Sequence, residues 1–182
     1  MNLAFDPATE RLRYAARQSF LLRQAALRLD LAQGITFQPE TAESVEDQVV
    51  ETLWAEGKAP DTVGPDELTE VRAAFAVLAP CREPEGWSVA ATLFLGFPDE
   101  VRARRLAALH RLPDQLRLEL SDGSFATPVI DRGTANPQDR LPAVLALRYL
   151  IPDGCRPIAL VSGHPEVSGR WPAPPGWDGW LS

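Results

Sequence analysis

A chain of 182 residues, 45% hydrophobic and 24% charged, is long enough to bury one sizeable core and too short for two, and this composition excludes wholesale disorder. A formal charge of −7 opposes broad attraction to nucleic acid or to an anionic membrane, and the single lysine among 18 basic residues reflects a GC-rich genome better than any chemistry. No window approaches the roughly 18 apolar residues of a spanning helix. The start, MNLAFDPATERLRY, carries no export signal, so a cytoplasmic protein is expected, with Cys81 and Cys155 as reduced, half-buried thiols.

In chain order, residues 7–31 read as one long helix with Leu12, Ala15, Phe20, Leu22, Ala26 and Leu29 available for a core face, ended by Gly34 in a left-handed position. The arginines spread along it read as solvated, because Glu10 and Asp30 partly neutralise a phosphate-binding face. Residues 35–38 alternate as a short strand. Thr41 or Ser44 then caps a helix over 42–56, with Val45, Val49 and Leu53 on its apolar face. A loop around Pro60 and Gly64 leads to a helix over 66–78. From Glu40 to Glu70 the chain carries ten acidic residues against Lys58 alone, either a solvated face or a docking surface for a basic partner.

Residues 89–97 form an apolar run interrupted only by Thr92 and Gly96, the pattern of a strand buried on both faces. Pro98, Asp99 and Glu100 then start an amphipathic helix that packs back over the sheet through Val101, Leu106, Leu109 and Leu112. From residue 115 the period changes to 2: a strand over 115–120, an Asp122-Gly123 turn and a return over 125–130 predict a hairpin, with Pro128 at an edge or bulge. A polar loop over 131–140, an apolar strand over 141–151 and a short strand over 158–161 follow. The last stretch, SGHPEVSGRWPAPPGWDGWLS, holds four prolines, four glycines and three tryptophans. Its tryptophans either dock on a partner or fold back to cover a sheet edge.

The fold class expected is therefore α+β: a single domain over residues 1–161, with a mainly antiparallel sheet of about four to six strands covered by three or four helices. A Pro/Gly/Trp-rich tail over 162–182 follows it. Catalytic spacings are missing from the sequence. His110, His164, Cys81 and Cys155 are scattered, so neither a metal nor another cofactor is expected, and no nucleophile elbow or phosphate-cradling loop is present.

TAESVEDQVVETLW at 41–54, WSVAATLFLGFPDE at 87–100 and LPAVLALRYLIP at 141–152 match, in order and spacing, the motifs FEN-x-DTV-x-x-QI-x-EML, ELSATL-x-x-E-x-PD and SAV-x-x-LRF. In these stretches the chain resembles a bacterial family of unknown function over residues 11–152. Matching positions are Gln48, Glu51, Ala91, Thr92, Leu93, Pro98, Asp99, Ala143, Val144 and Arg148. Phe37-Gln38-Pro39-Glu40 stands where the family has Phe-Glu-Asn. The family's genes sit beside those of rubrerythrin-like and iron-sulfur oxidoreductase proteins, so the resemblance implies an accessory role in redox or oxidative-stress defence.

These readings point to a cytoplasmic protein-interaction protein rather than an enzyme. Gln48, Glu51, Trp171, Trp177 and Trp180 are its candidate contacts for an unknown protein partner, and a homo-oligomer is compatible with the same surfaces. The first alternative is a small-ligand-binding protein or enzyme with a polar cleft near Glu51, Thr92 and Arg148. The second is nucleic-acid binding through the arginine-bearing helices, which the overall charge disfavours.

Overall fold

The structure is a computed structural model that describes residues 7–130 and 141–181. Among these residues it is α+β, with all strand pairs antiparallel: a five-stranded and a four-stranded sheet, joined and covered by five α-helices. Its organising strand is β4 (Gly86–Leu95), which pairs with β7 (Val144–Pro152) along one whole edge. The other edge is shared. β2 (Ile35–Pro39) pairs with Ala91 to Leu95, and β3 (Cys81–Glu83) pairs with Gly86 to Ser88. Between these two partners the Ala90 carbonyl is left for other donors.

The helix expected over 7–31 is shorter. α1 is Pro7–Leu27, and the chain then enters β1 (Leu29–Ala32), which returns through Gly34 into β2. Leu29 and Leu31 point inward on either side of Asp30, a period of 2 that a helical reading of Leu22, Ala26 and Leu29 conceals. Gly34 does adopt a positive φ of 75°, but in a hairpin turn where a Cβ would meet the Gly96 carbonyl at 2.5 Å.

α2 (Ala42–Ala55), α3 (Pro65–Phe75) and α4 (Asp99–Ala108) lie where the sequence pattern places helices, whereas α5 (Leu112–Gln115) is a separate short helix, opened by Pro113, where the sequence reading runs the preceding helix on to Leu112 and starts a strand at 115. The second sheet runs β6 (Phe125–Ala126), β5 (Arg117–Leu120), β8 (Pro157–His164), β9 (Val167–Pro172). The return strand of the β5 hairpin is thus only two residues long; after Pro128, Val129 makes a single bridge to Arg148 of β7. β8 runs past the expected end at 161, and residues 167–172 of the tail form β9 beside it, a hairpin in which Ser162 lies opposite Gly169. The polar loop at 131–140 lies outside the described residues.

The two sheets face each other across one core. Val89, Ala91, Leu93 and Leu95 of β4 and Leu147, Tyr149 and Ile151 of β7 meet Leu118, Leu120 and Leu160 of the second sheet, with Leu106, Leu109 and Leu112 packed into the same cluster. The opposite row of β4, Ser88, Ala90 and Thr92, looks toward the layer of α1 and α2, where Val45, Val49 and Leu53 are buried. No helix among the described residues is long and apolar enough to cross a membrane.

Candidate functional site

Buried polar side chains concentrate where β2 hands over to α2. Pro39 ends the strand, the Glu40 N–H donates to the Ala90 carbonyl (2.9 Å), and Thr41 caps α2 in a reciprocal capping box with Ser44. This geometry turns the Glu40 side chain inward, where it is 4% exposed. Three donors converge on its carboxylate: Thr92 Oγ1 from β4 to Oε1 (2.5 Å), Ser44 Oγ to Oε2 (2.7 Å), and Gln48 Nε2, one turn further along α2, to Oε2 (3.1 Å). A desolvated carboxylate is tolerable only when hydrogen bonds replace its water, and these three do so. Beside it a second chain of amides joins α1 to the sheet: Gln38 Nε2 donates to Gln24 Oε1 (3.1 Å), and Gln24 Nε2 to Thr41 Oγ1 (3.1 Å).

The residues singled out by sequence divide between three places. Gln48 and Thr92 meet at Glu40. Glu51 turns away to α1 and pairs with Arg17 (2.6 Å). Arg148 lies on β7, where Nε donates to Ser88 Oγ (2.7 Å), Nη1 to the Val77 carbonyl and Nη2 to Cys81 Sγ (2.9 Å). Glu51, Thr92 and Arg148 therefore each face a different partner. In the sequence Glu40 shows only as the first of ten acidic residues between positions 40 and 70, in a polar stretch just before the helix cap, where no local pattern marks a buried carboxylate.

The tryptophans are largely internal. Trp177 and Trp180, on a 3-10 turn over Trp177–Leu181, are 2% and 0% exposed and pack against each other and against Phe37, with ring centroids 5.1 to 6.2 Å apart. Both indole N–H groups find backbone acceptors: Trp177 the Leu27 carbonyl (2.9 Å), Trp180 the Ala90 carbonyl (3.0 Å) left open between β2 and β3. Trp171 is half-buried on β9, opposite Leu160. The tail segment thus covers the gap in its own sheet.

Most of the acidic stretch is paired within the molecule. Glu43 meets Arg23, Glu46 meets Arg72 (2.6 Å), and Lys58 lies between Glu56 (2.7 Å) and Glu67 (2.5 Å). Asp61, Asp66 and Glu70 stay exposed. On α4, Arg102 pairs with Asp99 and Arg105 with Glu166, both at 2.7 Å. Among the described residues no cluster of three His, Cys, Asp or Glu side chains is placed to hold a metal ion.

Apolar side chains remain exposed along the flank of the five-stranded sheet. Phe94 and its cross-strand partner Val144, Leu150 one turn of the pleat beyond Arg148, and Val129 bridged to Arg148 all lie on the outer face, and Val77 follows α3 beside them. Val129 and Val144 are 70% and 56% exposed.

No family model matches the chain, and no curated protein does. Its architecture is similar to the crystal structure of a novel protein of unknown function from Burkholderia pseudomallei. The likeness covers 100% of this chain and 96% of that one with a TM-score of 0.69, at 19% sequence identity. At that identity the shared property is the fold, in a bacterial protein with no assigned activity.

Proposed function

We propose that the protein acts as an accessory protein that binds another protein through the outer flank of β7. The observation that carries this reading is the row of solvent-facing apolar side chains, Phe94, Val144, Leu150, Val129 and Val77, set around Arg148. Scattered exposed apolar residues need no explanation, whereas a contiguous group on one sheet face marks an interaction surface. α3, which leads into Val77, carries the exposed Asp66 and Glu70, so a partner with an apolar face and basic flanks is complementary. The resemblance of the 41–54 and 87–100 stretches to the bacterial family points that partner toward redox or oxidative-stress proteins in the cytoplasm.

The test is co-purification from native extract at low salt with wild type and with Val144→Glu. Val144 is exposed, so the variant should keep its stability within about 0.5 kcal/mol. It should retain the partner about tenfold less, the equivalent of 1.4 kcal/mol. Equal retention by both proteins overturns the reading.

A second reading, small-ligand binding, rests on a groove of about 530 Å³ between α1, the start of α2 and the Pro175–Gly176 segment, with Arg23, Gln24, Thr41 and Glu43 as its polar groups and Leu27 and Ala42 in its walls. A thermal shift with a metabolite library that disappears in Ala42→Trp would favour it over the first.

A further inference from the structure

His164 stands where the β8–β9 hairpin meets α4, the two elements joined by the Arg105–Glu166 pair. His164 ends β8, lies opposite Val167 across the turn and is 4% exposed, on the same inward row as Leu160 and Ser162. Its Nδ1 lies 3.2 Å from the backbone N–H of Glu166, two residues on, while its own N–H donates to Ser162 Oγ (3.2 Å). A donor facing Nδ1 requires that nitrogen to be bare, so the ring must be neutral with its proton on Nε2. Glu166 in turn reaches across to Arg105 of α4.

We infer that His164 is an acid-sensitive latch: protonating its ring sets an N–H against the Glu166 N–H, opens the β8–β9 turn and loosens the Arg105–Glu166 link that ties the turn to α4. A proton gained at Nδ1 replaces a hydrogen bond with two opposed donors and places a cation in a site shielded from water. The charged groups on the elements around it are Glu166 on its own turn, Arg105 and His110 on and just past α4, Asp114 on α5, and Arg117 with the Glu119–Arg170 pair along β5 and β9. Burial holds His164 below the ordinary histidine value; Glu166 opposes this, and His110 adds to it. The sign follows. With the folded ring harder to protonate than the unfolded one, the latch contributes its full stabilisation above the usual value of 6.5 and loses it as the pH falls below that.

Amide hydrogen exchange on the full chain, corrected for intrinsic rates, tests this at Glu166. Protection should fall at least about tenfold between about pH 7.5 and 5, relative to amides in the middle of β4, since each pH unit below a native pKa multiplies the protonated fraction about tenfold relative to the neutral one. In His164→Asn, which keeps a short acceptor but has no titrating ring, the protection should not vary over that range. Retained protection in the wild type at low pH, or an equal loss in the Asn variant, overturns the inference. Should the variant fail to fold, nitrogen chemical shifts of the wild-type imidazole decide: Nδ1 bare at neutral pH sustains the latch, and a proton on Nδ1 refutes it.

Discussion

Thr92 is one of three groups that replace water around the Glu40 carboxylate, and the only one supplied by the sheet. Thr92→Val keeps the volume and removes the donor, leaving a buried oxygen underserved. Chemical denaturation should show a loss of about 1–3 kcal/mol, against a near-neutral result if the carboxylate were solvated. Tyr149 is a milder case. Its buried hydroxyl donates to the Leu116 carbonyl (3.1 Å), and burial pushes its acidity well beyond the physiological range, so it stays a neutral donor at every working pH. Tyr149→Phe should cost about 1 kcal/mol in the same measurement and leave the pH profile of stability unchanged. Neither partner could be named from sequence, because Glu40 and Thr92 are 52 positions apart and nothing local about a threonine in an apolar strand says what its hydroxyl will meet. What could be read was that Gln48 and Thr92 share a family-like pattern, and these two do converge, while Glu51 and Arg148 from the same pattern do not join them.

At the level of elements, legibility followed how completely a segment obeys one period. β4 is apolar on both faces and α2 opens on a capping box, so both were readable to within three residues at either end. β1 was not, because Leu29 and Leu31 continue the helical spacing of α1 without a breaker between them. β9 was missed for the converse reason: Ser168, Gly169 and Arg170 carry no apolar alternation, and the strand exists because β8 offers it an edge. The caps can be checked directly. Thr41→Ala removes one half of the box and the acceptor for Gln24, and should cost about 1–2 kcal/mol by denaturation. Gly86 tests the tight turn between β3 and β4. Its φ is 151° and a Cβ would lie 2.0 Å from the Ile151 carbonyl, so Gly86→Ala should displace β7 from β4 and cost more than about 4 kcal/mol, visible as poor soluble yield.

For the whole molecule, the central question is how a sheet with a divided edge is made whole. β2 and β3 each cover part of β4, and the Ala90 carbonyl between them takes the Glu40 N–H from the end of β2 and the Trp180 indole from the segment after β9. Trp180→Ala would empty a fully buried site and strip that carbonyl of one donor. A loss of about 3–5 kcal/mol is expected, which at roughly 2–4 °C per kcal/mol in a domain of this size lowers Tm by about 6–20 °C in calorimetry. The sequence left open whether these tryptophans serve a partner or their own core; composition cannot choose, since an indole is equally suited to both, and only the position of an unfilled acceptor decides. Because that acceptor sits on the innermost strand and its donor follows every described strand in the chain, the strands alone leave the sheet open at Ala90 until Trp180 is in place. Stop codons placed a few positions before Trp180 should therefore yield polypeptides that hold the nine described strands and are nonetheless cleared by cellular proteases.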